Sequence, residues 1–307
     1  MIQYLIGNAE QISFSDAVSP RDEDEPSFSE YFEAEDAMLR FVESLRLAVG
    51  SQEILVHEPL LGIPKPSWLP DFRNGVALSP DQALRLLRSS LRGVPIGCTL
   101  SCLGDGSVLI GTDFDGLLRV DIDDRHEPLV LSLLPQELRV AVRQPTPPQP
   151  DVKNEAADDH FWQSVSNLLP AHPGGLLVIE RWAYGTWGDS WYLATGETID
   201  RIRRSIREHS QVIVQELPEF ENIILSERFD ETSVLAIDEI DLRYLPSTSH
   251  GLDLGIQPLT SAVVAADPEM WNRPVRIVSF PYSSRTILLI AVVPDSVTGT
   301  VTADWPT

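Results

Sequence analysis

A pattern that recurs at a constant offset of 115 residues constrains this chain more than any other feature. Leu84, Leu87 and Leu91 have the i, i+3, i+7 spacing of one helix face, and Ile199, Ile202 and Ile206 repeat it 115 positions on. The same offset carries Arg88, Ser90 and Arg92 onto Arg203, Ser205 and Arg207. Without a gap it carries 108–110 onto 223–225, Phe114-Asp115 onto Phe229-Asp230, and Ile122-Asp123 onto Ile237-Asp238. One helix and three strands in constant register read as a tandem duplication. A second shift, of 179, puts Pro95 on Pro274 and 108–110 on 287–289, which predicts a partial third repeat over about 257–307.

The fold class expected is α+β, in repeated modules of helix, antiparallel strands, helix, antiparallel strands. In the first module the spacing predicts a strand over 2–6, a helix over 35–49, and strands over 54–57 and 75–78. Ser79-Pro80-Asp81-Gln82 then opens a helix, since Ser79 can cap, proline suits the first helical position and Gln82 completes a capping box. Strands follow over 96–103, 107–112 and 117–122, with a tight turn at 104–106. In the second module helices are predicted over 159–169 and 197–209. Strands are predicted over 176–184, 190–194, 212–216, 222–226 and 233–237. Four prolines between 145 and 150 deny ladder hydrogen bonds and favour a stiff spacer. The domains expected are therefore 1–142, a linker over 143–156, and 157–307.

Charge narrows the function classes. Forty-six acidic against 23 basic side chains give −23 over 307 residues, which repels nucleic-acid phosphates and anionic membrane surfaces. It suits a basic protein partner. Cys98 and Cys102 cannot build a disulfide framework and lack the Cys-x-x-Cys spacing. The N-terminal residues lack the charge and apolar length of a signal peptide, and the apolar run over 287–293 is too short for a membrane span. A cytoplasmic protein, with no membrane or nucleic-acid partner, is expected.

Asp113-Phe-Asp115-Gly116, after the apolar run 108–110, resembles the nucleophile motif of haloacid-dehalogenase-type phosphatases. There the first Asp attacks phosphorus, the second is acid and base, and magnesium assists. Leu117 stands where that family has Thr, and the repeat replaces Asp113 with Arg228 while keeping Phe229-Asp230. The same residues read as a hairpin turn in which Gly116 supplies the left-handed angle. The aromatic segment Trp182, Tyr184, Trp187, Trp191 offers a partner-binding surface; cross-strand core packing is the competing reading for Trp182 and Trp191. Arg201, Arg203, Arg204 and Arg207 form a basic cluster that reads as a solvated helix face. The six histidines show no ligand spacing, so no metal and no cofactor is expected.

The order helix, hairpin, helix, further antiparallel strands, repeated along an acidic chain, resembles the type III secretion chaperone and YbjN-like group. That resemblance implies a non-catalytic protein that binds another protein along a sheet face or groove. The function expected is a secretion-chaperone-like factor, or an immunity or inhibitor protein neutralising a basic toxin or client. The alternative is a magnesium-dependent hydrolase using Asp113 and Asp115.

Overall fold

The structure, a computed structural model, describes residues 2–7, 28–51, 53–69, 71–102, 107–113, 116–143, 155–224, 242–245, 252–260, 264, 274–279, 287–301 and 305. The chain divides into two compact units, Met1–Val152 and Lys153–Pro306. Among the described residues there are five α-helices and fifteen strands, and every named strand pair is antiparallel, so the class is α+β.

The first unit runs β1 (Ile2–Gly7), α1 (Phe28–Ala48), β2 (Ile54–Leu61), β3 (Ala77–Leu78), α2 (Pro80–Leu91) and β4 (Ile96–Ser101). It continues with β5 (Val108–Thr112), β6 (Leu118–Ile122), α3 (Glu127–Leu133) and β7 (Arg139–Arg143). Its seven-stranded sheet has the order β3-β2-β4-β5-β6-β1-β7. The capping box forms as its residues dictate: Ser79 Oγ accepts from Gln82 N at 3.3 Å, and Gln82 Oε1 accepts from Ser79 N at 3.1 Å. The i, i+3, i+4 apolar residues of α2 (Ala83, Leu86, Leu87 and Leu91) are buried, and the helix packs on β4, β5 and α1.

Several elements differ from the sequence expectation, each for a physical reason. β2 does not stop at His57. It passes Pro59 by a register shift between His57 and Leu60, with Glu58 at φ 49°, and continues to Leu61. α1 starts seven residues before 35 and holds a carboxylate that is 1% exposed, Glu35. That buried charge is matched by Arg88 Nε at 2.9 Å and by Arg92 Nε and Nη2 at 2.7 and 2.9 Å. α3 and β7 were not anticipated, because β7 pairs with β1 from the opposite end of the unit. The expected turn at 104–106 lies outside the described residues.

The second unit runs α4 (Asp159–Leu168), β8 (Leu176–Arg181), β9 (Asp189–Ala194), α5 (Ile199–Ser205) and β10 (Gln211–Glu216). Then come β11 (Glu221–Ile224), β12 (Leu242–Leu245), β13 (Gln257–Pro258), β14 (Pro274–Ser279) and β15 (Ile287–Val292). One sheet has the order β15-β10-β8-β9 and the other β11-β14-β12-β13. Phe161, Trp162 and Val165 of α4 and Ile199 and Ile202 of α5 cover one face of the first sheet, against Leu176, Val178, Val212, Val214 and Ala291. The opposite face buries Leu177, Ile179, Trp191 and Ile213 against Val278 of β14, with Leu217, Phe220, Leu254 and Ile256 around them.

The two units share a pairing order. Helix, two strands, helix, strand gives β3-β2-β4-β5 in the first and β9-β8-β10-β15 in the second. The offset of 115 carries β4 residue for residue onto β10, but it fails at the next strand. β11 pairs with β14 in the other sheet, and the place beside β10 equivalent to β5 is taken by β15. β15 is where the offset of 179 places β5. Of the strands expected in a third repeat, Ile287–Val292 completes the second unit's first sheet, and Pro274–Ser279 belongs to a different sheet. The expected strand over 233–237 lies outside the described residues, as do 144–154 of the expected linker.

The division at residues 152 and 153 has a direct test. Lys65 and Lys153 are the only lysines, and Lys65 precedes proline, which resists cleavage. Brief native digestion by a lysine-specific protease should yield two fragments meeting at Lys153, each with a cooperative melt. An uncut chain, or fragments that unfold on release, would contradict two independently folded units.

Candidate functional site

In the second unit, chemistry-bearing side chains gather where β10 begins and β15 ends. α5 stops at Ser205 because Ile206 turns extended at φ −71°, ψ 136°, four residues short of the predicted helix end. The chain then reverses through His209, at φ 62°, a left-handed angle that histidine tolerates better than most residues. His209 is 8% exposed. Its N–H donates to Val293 O at 2.9 Å, and its carbonyl accepts from Trp305 Nε1 at 2.7 Å. Its Nε2 lies 3.7 Å from Asp295 Oδ2.

Asp295 organises the loop after β15. Its Oδ1 accepts from Val297 N at 3.0 Å, Thr298 N at 2.6 Å and Thr298 Oγ1 at 2.9 Å. The Thr298 backbone and hydroxyl bonds, with help from Val297 and His209, hold this carboxyl below the usual carboxylate range. Glu208 completes the group: one ligand atom each from Glu208, His209 and Asp295 lies within 4.8 Å of the others. Glu208-His209 and Asp295 are 86 residues apart by number, so no local spacing could announce them.

The aromatic segment divides. Trp191 is 2% exposed in the core between the two sheets, and Trp182 is 7% exposed beneath the Arg207 guanidinium, 4.8 Å from its ring centre. Neither presents a ring to a partner, which corrects their assignment as binding residues. Alternation along the strand already puts Trp191 on the face that the second sheet covers. Tyr184 is half-buried against Trp305, with ring centres 5.0 Å apart, and so adjoins the His209 group. Trp187 is half-buried in the loop between β8 and β9. That loop is closed by Trp182 N and Ala183 N donating to Gly188 O at 2.9 and 3.1 Å. A Cβ at Gly188 would stand 2.0 Å from Ala183 O, so only glycine fits.

On β8, just before this loop, lies a fully buried carboxylate, Glu180, at 0% exposure. Its Oε1 accepts from Arg207 N and Nε, both at 2.8 Å, and from Ser210 Oγ at 3.3 Å. Its Oε2 accepts from Tyr192 OH at 2.8 Å and Arg207 Nη2 at 3.2 Å. The predicted Arg cluster thus disperses: Arg207 serves Glu180, Arg203 pairs with Asp159 of α4, and Arg204 Nε donates to Asp200 O. A cleft of about 500 Å³ beside α4 is lined by Asp158, Asp159, Trp162, Arg203, Val293 and Pro294.

Asp113 lies in the first unit, in the turn joining β5 to β6. Its N–H donates to Leu117 O at 2.9 Å, its carbonyl accepts from Gly116 N at 3.2 Å, and Gly116 has φ 73°. These bonds are those of a hairpin turn; Asp115 lies outside the described residues.

Glu180 makes two checkable predictions. Glu180→Ala should lower stability by about 3–5 kcal/mol in urea unfolding, because Arg207 and Tyr192 lose a buried acceptor; Glu180→Gln should cost less. Burial, then the neighbouring Glu180 charge, pushes the Tyr192 hydroxyl pKa well above its ordinary value of 10.0. The folded state therefore keeps its proton longer than the unfolded state. That contribution is full below pH 10 and falls as the pH rises above it, and Tyr192→Phe should remove this part of the alkaline decline. An unchanged alkaline slope in Tyr192→Phe would contradict the assignment.

Compared with known proteins, the chain matches no family model, no curated protein and no solved structure.

Proposed function

We propose that this chain is a non-catalytic, acidic protein-binding protein, a secretion-chaperone-like factor or an inhibitor that neutralises a basic partner. The observation that carries the reading is the net charge of −23. A surplus of that size steers a basic partner into encounter and rejects acidic ones through like-charge repulsion. The element order in both units supports it, since helix, paired strands, helix and further antiparallel strands is the order on which the likeness to secretion chaperones rests. Free thiols at Cys98 and Cys102 suit a reducing compartment such as the cytoplasm. Among the described residues no helix is long and apolar enough to cross a membrane.

Recognition on this reading has two parts. Long-range charge sets the rate of encounter, and a desolvated aromatic anchor sets residence time. Trp187 is the anchor, with Tyr184 on the same loop.

The test starts from a partner captured at low salt and measures association and dissociation separately. Association should slow steeply as salt rises past physiological strength, where exposed charges are screened beyond about 8 Å, while dissociation changes little. Trp187→Ala should weaken binding by about 1–3 kcal/mol, mainly through faster dissociation, with an unchanged melting temperature. Salt-independent association, or a Trp187→Ala variant that melts early yet keeps its partner, would refute the reading.

A further inference from the structure

We propose that Glu208, His209 and Asp295 form a binding site for a divalent transition-metal ion of the zinc class. The site is independent of the partner-binding reading.

Geometry is the first support. His209 Nε2 and Asp295 Oδ2 are 3.7 Å apart, too far for a hydrogen bond. Two ligands of a tetrahedral ion, each about 2.0–2.2 Å from the metal, stand about 3.4 Å from each other. The Glu208 carboxylate brings its oxygen within 4.8 Å of both. Movements of a few tenths of an ångström up to about 1 Å would close all three onto one ion.

Pre-organisation is the second. His209 is held by its backbone on both sides, to Val293 and to Trp305, and its ring is nearly enclosed. Asp295 has Oδ1 committed to three loop donors, which orients Oδ2 toward the imidazole. Outer hydrogen bonds of this kind are what fix metal ligands in place.

The donor set decides the metal. One imidazole nitrogen and two carboxylate oxygens suit zinc and its neighbours. Calcium and magnesium prefer six or more oxygens, and soft ions prefer thiolate. Two carboxylates and a neutral imidazole carry −2, which a dication cancels. Three protein ligands leave a fourth position for water or for an atom of a bound partner. The ion would also clip the turn before β10 to the loop after β15, across 86 residues, and so hold the sheet closed.

Chelator-stripped, untagged full-length chain titrated with zinc chloride in a calorimeter tests this. A single equivalent should bind with micromolar or tighter affinity and raise the melting temperature, and cobalt(II) should give the visible bands of a four-coordinate ion. His209→Asn, which tolerates the left-handed backbone angle, should lose at least about tenfold in zinc affinity. So should Asp295→Asn, which keeps a loop acceptor. Glu208→Gln, at a half-exposed position, serves if either variant fails to fold. Absence of saturable one-to-one binding, zinc affinity unchanged in the folded variants, or equal affinity for magnesium would each overturn the site.

Discussion

The second unit depends on one long-range pairing, that of Gln211–Glu216 with Ile287–Val292. In the first unit the equivalent pair, β4 and β5, is joined by six residues, 102–107; here 70 residues, 217–286, intervene. Loop-closure entropy scales with the logarithm of length, so the longer connection costs about 2 kcal/mol more. Burying a valine-sized side chain returns about 1.5–3 kcal/mol, and this pairing buries Ala291 and Val292 to within 1% of full enclosure. The excursion itself adds Val278 and Phe220 to the far face of the sheet. Packing therefore offsets closure. The junction it creates is also where His209, Asp295, Trp305 and Tyr184 meet.

Among the described residues, the two buried glutamates, Glu35 and Glu180, are each matched by arginine from the segment that the 115-residue offset relates. Arg88 and Arg92 reach Glu35, and Arg203 and Arg207, their counterparts, reach Asp159 and Glu180. In each unit the first arginine of the pair ties the second helix to the first. The second arginine serves a helix carboxylate in one unit and a strand carboxylate in the other. Removing the arginines from Glu35 or Glu180 would leave a desolvated charge, which makes these two pairings specifiers of the packing more than sources of net stability; Asp159 is exposed, and its pair with Arg203 contributes little.

Local chemistry was legible in the sequence wherever neighbours in the chain decide the outcome. The capping box at Ser79 and Gln82, the strands between Ile96 and Ile122 and the helix face of Leu87 and Leu91 are of this kind. Elements whose partners are remote were not legible: β7 needs β1, β15 needs β10, and the bulge past Pro59 needs β4 to continue the ladder. The offset of 179 did contain the position of β15. Its meaning was hidden because a strand alone does not say which neighbour it joins. Trp182 and Trp191 carried a core pattern in their alternation, whereas Glu208, His209 and Asp295 carried no pattern until the sheet brought them together.

Amide-to-amide nuclear Overhauser contacts in a deuterated sample test the strand assignment most directly. Contacts linking 211–215 to 287–292, with Ile213 opposite Ile290, are expected from the pairing of β10 with β15. Contacts linking 211–216 to 221–225 instead would restore the gap-free repeat. They would also remove the junction on which the candidate site stands.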